Sequence, residues 1–146
     1  MFLKYSKSIP IKYDVDVFIG GGGPAGIAAG ATAAKSGAST FLAESHTCLG
    51  GMGTAGLVPL FMNFCDGKNF LAGGFGKDIY NAVIDSGGVK YNRYLSIKAE
   101  PLKRIYDRIA AESGLKLTFQ TNVVDAVAEN EKFNILSAAP KAGYSQ

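Results

Sequence analysis

VDVFIGGGGPAGI, residues 15–27, runs a short apolar segment into four consecutive glycines and a proline. Val15, Val17, Phe18 and Ile19 make a compact β-branched and aromatic run, the pattern of a strand covered on both faces. From Pro24 the chain changes to small apolar residues, PAGIAAGATAAKSG, and reaches Gly37. Proline suits a first helical turn, where its missing N–H would be unpaired in any case, and glycine is a natural helix stop. The segment predicts a helix in spite of Gly30, which costs about 1 kcal/mol relative to alanine. A second short apolar run, Ser39 to Ala43, follows and ends at Glu44. Strand, helix and strand in that order predict a βαβ unit with parallel strands and a right-handed crossover. Both strand ends and the helix N-terminus then face one side of the sheet, which is the expected ligand edge.

Within this unit Gly21, Gly23 and Gly26 fit GxGxxG, with Pro24 and Ala25 between the last two. The first glycine permits the strand-to-helix turn. The second removes a Cβ so that a pyrophosphate can approach the backbone, and the third lets helix and strand pack closely. Unpaired N–H groups and the positive end of the helix dipole face the phosphates. In a chain with 19 glycines the motif alone is weak. Here it follows a strand, opens a helix and is followed, 23 positions after Gly21, by Glu44; that order gives it weight. Glu44 can accept hydrogen bonds from both hydroxyls of an adenosine ribose and would repel a 2′-phosphate, which disfavours NADP. Ser45, the next residue, is taken with the same site.

Working outward, 146 residues make one domain of ordinary size. Hydrophobic residues at 47% and charged residues at 18% exclude disorder as the main state. A net charge of +3 is too small to argue for nucleic acid or a membrane surface as partner. Lys98, Lys103, Arg104 and Arg108 lack an aromatic platform and read as a solvated face. No run approaches about 18 apolar residues, so no membrane span is expected. Cys48 and Cys65 have no metal-ligand or disulfide spacing; both read as small packing residues, no metal site is expected, and a cytoplasmic location follows. Residues 1–14 are expected to be a polar lead-in, 15–140 the domain, and 141–146 a tail with nothing to bury. Helices are expected at about Lys77 to Ser86 and from Glu100 and Pro101 to Gly114, the latter on the stripe Leu102, Ile105, Tyr106 and Ile109. KLTFQ (116–120) predicts a strand, and Val123 to Ala128 with Phe133 to Ser137 a β-hairpin. LVPLFMNF (57–64) fits helix, strand or packed loop equally. The fold class expected is thus α/β, a Rossmann-like parallel sheet carrying a βαβ dinucleotide unit and a carboxyl-terminal hairpin, and incomplete.

DVDVFIGGGGPAGIAAGATAAKSGASTFLAE followed by CLGGMGTAGLVP resembles the amino-terminal part of FAD-dependent oxidoreductases with a glutathione-reductase-like Rossmann domain. The likeness covers residues 10 to about 137, and members with LGGMGTAGLVP-like segments are the most similar. The resemblance implies FAD as cofactor, and flavin-end contacts to the diphosphate and ribityl region from Gly50, Gly51 and Thr54, which match the family's second glycine signature. That signature often has Arg two residues before its glycine pair, where this chain has Cys48. Val123 or Val124 is implied to border the adenine through backbone groups; a plainer reading makes both of them buried strand residues. Ser45-His46-Thr47 is similar to the segment that attaches FAD covalently in succinate dehydrogenase flavoproteins, but its spacing to the glycine pair differs, so His46 is read as a loop residue beside the ribose.

Family members are several times longer, and their returning strand with a TGDGD-like segment has no counterpart here. The chain is therefore expected to be a shortened flavoenzyme whose sheet lacks a neighbour on one side, with little to cover the isoalloxazine ring. No catalytic acid or base can be named. A noncatalytic nucleotide-binding or interaction module and an NAD-binding unit stay open as alternatives. A small molecule is the expected substrate, of unknown identity, and homo-oligomerisation stays open.

Overall fold

The computed structural model describes residue 6 and residues 8–91, 93–129 and 132–138. The expected tail, 141–146, and the last residues of the expected domain lie outside the described residues. In chain order the elements are β1 (Val17–Gly20), α1 (Pro24–Lys35), β2 (Thr40–Ala43), β3 (Leu60–Phe61), α2 (Phe75–Asp85), β4 (Lys90–Tyr91), β5 (Tyr94–Ser96), α3 (Ala99–Ser113), β6 (Lys116–Thr118), β7 (Asn122–Glu129) and β8 (Lys132–Ala138).

β1, β2 and β6 form a parallel sheet in that spatial order, and β7 and β8 pair as the expected antiparallel hairpin. Because side chains alternate along a strand, the register places Ile19, Leu42 and Leu117 side by side on one face. That face packs with Ile27 of α1, with Ile105 and Tyr106 of α3, and with Leu115 to make the core. Gly30 is explained here. A Cβ at this position of α1 would stand 3.0 Å from Leu115 Cδ2 and 3.5 Å from Ile19 Cγ1, so helix and sheet are as close as a glycine allows. β2, the central strand, is buried along its whole length. β1, expected to be covered on both faces, is only half-buried, because it is an edge strand with no further strand beside it among the described residues.

The opposite face of the sheet carries Phe18 and Phe41, which are register partners. Tyr13 stacks on Phe41 with ring centroids 4.1 Å apart. Tyr13 of the lead-in thus covers part of an aromatic surface that the sheet offers. Tyr13→Ala is expected to lower stability by about 1 kcal/mol, the worth of an aromatic pair beyond its area, read as a lower urea midpoint.

α2 starts at Phe75, earlier than expected, since Gly74 at φ 55° supplies the turn into it. α3 ends as expected, with Gly114 left-handed at φ 74°. LVPLFMNF resolves into β3 and loop, and β3 pairs antiparallel with β5, which pairs with β4. Nothing in the sequence pointed to this small sheet, because strands of two or three residues are too short to show an alternation.

Candidate dinucleotide site

The turn leaving β1 is held by Gly21 N–H, which donates to Ala43 O at 2.8 Å. Gly21 has φ 112°, a conformation that side chains other than glycine's rarely adopt. Gly23 is the N-cap of α1, with no side-chain cap and no acid in the first turn. Pro24 has no N–H, and Ile27 N–H is bonded to Gly23 O at 2.9 Å. The amides of Ala25 and Gly26 thus have no helical acceptor and point out of the helix end. A Cβ on Gly23 would meet nothing within 4 Å, so the space in front of that turn is open. A Cβ on Gly26 would overlap the Gly21 carbonyl oxygen, which fixes its role as a packing glycine.

The second glycine turn, Gly50 to Thr54, lies directly on the first. Gly50 N–H donates to Gly22 O at 2.8 Å, and a Cβ on Gly51 would stand 3.2 Å from Gly23 Cα. Gly50 and Gly51 are both left-handed, at φ 103° and 53°. Thr54 is 0% exposed, and its hydroxyl donates to Leu49 O at 2.6 Å. Below Gly50 lies the ring of Tyr106, buried in α3. Burial pushes its phenol up to about 12. The folded state holds that proton while the unfolded chain releases it from about pH 10, so stability falls as pH rises from there toward about 12. Tyr106→Phe is expected to remove this part of the alkaline loss, seen by comparing urea midpoints of variant and wild type at about pH 9 and about pH 11.

Glu44, at the carboxyl end of β2, is 4% exposed and faces the glycine turn. Its Oε2 accepts from Gly22 N–H at 2.5 Å, and its Oε1 accepts from His46 N–H at 2.6 Å and Ser45 Oγ at 3.2 Å. The backbone on either side is clamped from the end of β6: Glu44 N–H donates to Thr118 O, Thr121 N–H to Glu44 O, and Gln120 N–H to His46 O. Ser45 and His46 are exposed on this loop. The carboxylate therefore organises the turn as well as facing the site. A carboxylate has about four lone-pair positions, and the internal bonds use three of them.

Val123 and Val124 open β7. Val123 Cγ2 lies 3.6 Å from where a Cβ on Gly20 would stand, so the start of the hairpin borders the carboxyl end of β1. Val123 is 42% and Val124 56% exposed, and the register shifts between Val123 and Asp125. Neither is the buried strand residue of the plainer reading, because a two-stranded hairpin leaves its faces open.

Two features were not singled out in the sequence. Gly22, an x of the motif, must itself be glycine, since a Cβ would lie 2.5 Å from Leu49 Cδ2 and 3.0 Å from Glu44 Oε2; the run of four glycines was its only signal. Gln120, left-handed at φ 50°, turns the chain so that Gln120 and Thr121 clamp residues 44–46, and nothing local announces it. Among the described residues no cluster of three or more His, Cys, Asp or Glu converges on a metal position, and no helix is long and apolar enough to cross a membrane.

The chain is thus an α/β domain whose parallel sheet has a glycine turn and a helix N-terminus at its carboxyl edge and an acid ending the next strand, the arrangement found in Rossmann-like folds. The family described as FAD dependent oxidoreductase matches residues 16–145, and the chain belongs to it. No curated protein matches the sequence. Among solved structures it is similar to THI4 of Thermovibrio ammonificans, at 20% identity over 83% of this chain and 45% of that one, with TM-score 0.53. A geranylgeranyl bacteriochlorophyll reductase-like protein of Thermoplasma acidophilum matches at 19% identity over 87% and 37%, TM-score 0.54. The 3-ketosteroid-delta4-(5alpha)-dehydrogenase of Rhodococcus jostii RHA1 matches at 15% identity over 88% and 42%, TM-score 0.59. At these identities the likeness shows the fold, and the chain spans less than half the length of each.

Proposed function

We propose that this chain is the FAD-binding portion of an FAD-dependent oxidoreductase and that it holds the ADP part of the cofactor. The observation that supports this reading is the open space at Gly21 and Gly23, on either side of the buried Gly22, with Gly51 stacked on Gly23 and Glu44 tied to Gly22. The free amides of Ala25 and Gly26 suit a diphosphate, and the positive end of α1 adds to their attraction. Pro24 closes the helix end without adding a donor. Glu44, through its remaining lone-pair position, would accept from the ribose, with Ser45 beside it, and the backbone at Val123 or Val124 would border the adenine. Gly50 and Gly51 would face the flavin side of the diphosphate. Bound FAD supplies an isoalloxazine ring that accepts hydride or electrons; the residues named here bind and orient it. We read the cations of α3 as a solvated face and the substrate as a small molecule.

Purification of the 146-residue chain, an absorbance spectrum for retained flavin and calorimetric titration with FAD, ADP and NADH test the reading. FAD and ADP are expected to give heat. A colourless protein that ignores added FAD would overturn the proposal, and heat from NADH alone would make the chain an NAD-binding unit.

A further inference from the structure

Two successive left-handed glycines, Gly50 and Gly51, form the turn that meets the GxGxxG loop. Glycine occupies several backbone regions with similar ease, so the pair does not select this conformation by itself. Something outside it must. Thr54 meets the turn from the buried side with both branches of its side chain. Its hydroxyl donates to Leu49 O at 2.6 Å, with Gly51 O at 3.3 Å, and a Cβ on Gly50 would stand 2.6 Å from its methyl carbon. A threonine hydroxyl has a single proton to donate, and Leu49 O is the nearer of its two acceptors. Leu49 precedes Gly50, whose N–H reaches the Gly22 carbonyl at 2.8 Å within the first turn.

We propose that Thr54 is a positioning residue that pins the second glycine turn onto the first, and that its hydroxyl does not touch the cofactor. The proposal rests on the dinucleotide reading for its effect on FAD, but the pin itself belongs to the cofactor-free protein. It acts through Leu49 and Gly50, and its consequence is the placement of Gly22 and Gly23 for the diphosphate. It replaces the direct contact that the family resemblance implies for this residue.

Amide hydrogen exchange of the 15.3 kDa chain without cofactor, together with FAD titration, tests it. In the wild type Gly50 N–H is expected to be protected. Thr54→Val keeps the shape and loses the donor; it is expected to speed Gly50 exchange about tenfold and weaken FAD by a similar factor, as loss of one buried hydrogen bond would. Thr54→Ser keeps the donor and should stay within about threefold of wild type in both readouts. An unprotected Gly50 in the wild type overturns the proposal without any variant. So does a Thr54→Val protein with normal Gly50 protection, whether its FAD affinity is unchanged or reduced; a reduced one would make the hydroxyl a direct ligand. If the wild type ignores FAD while Gly50 is protected and Thr54→Val releases it, the cofactor reading fails and the pin stands.

Discussion

Replacing Gly26 with alanine is expected to cost about 3 kcal/mol of stability, at the upper end of ordinary overpacking, and to abolish measurable FAD binding. The new Cβ would overlap the Gly21 carbonyl oxygen and come within 3.3 Å of Ile19 Cγ2. Neither neighbour can withdraw cheaply. Gly21 is fixed by its N–H bond to Ala43, and Ile19 belongs to the core face of β1. Relief would require α1 to move off the sheet, carrying the Ala25 and Gly26 amides with it. Gly23→Ala separates the fold from the ligand. Gly23 has φ −65° and an open surrounding, so that variant should hold its stability to within about 1 kcal/mol and still lose at least about tenfold in FAD affinity. Urea unfolding and FAD titration on the two proteins read both effects. A Gly26→Ala protein with the wild-type urea midpoint would show that helix and turn are not in contact.

The second large effect is expected at Glu44. Glu44→Ala strips the acceptor from Gly22 N–H, His46 N–H and Ser45 Oγ together. Leaving a buried donor unpaired costs about 1–3 kcal/mol, and Gly22 is the buried one, so a loss of about 2–3 kcal/mol is expected. Glu44→Gln is no rescue: one oxygen remains, while the amide nitrogen must face either Gly22 N–H or His46 N–H, donor against donor. Both variants should lose FAD and ADP affinity by similar factors of about ten or more, since the ribose end is common to the two ligands. Unchanged ADP binding in a folded Glu44→Gln protein would remove Glu44 from the site.

The apolar run, the glycines and Pro24 are neighbours in the chain, and the turn and helix they make depend on backbone freedom and hydrogen bonds within a few residues. That is why β1, α1 and β2 were legible at once. α3 was legible for a related reason: Leu102, Ile105, Tyr106 and Ile109 repeat at the helical period over several turns. The β3–β5–β4 sheet was not, since all three strands are two or three residues long and β3 finds β5 only about 35 residues further on. The half-burial of β1 was hidden too, because exposure of an edge depends on which strand stands next to it.

For the site the division is finer. Composition, spacing and motif by themselves determined that a glycine turn would meet a helix N-terminus at the end of a strand and that an acid would end the next one. Only the tertiary structure decided what each side chain does there: that Glu44 binds Gly22 and His46, that Gly22 has no room for a side chain, that Thr54 faces Leu49, and that Tyr13 covers Phe41. Backbone conformation follows from local sterics, which residue order carries. A side chain's partner is set by which distant segments the packed core brings within about 3 Å of it, the range of a hydrogen bond.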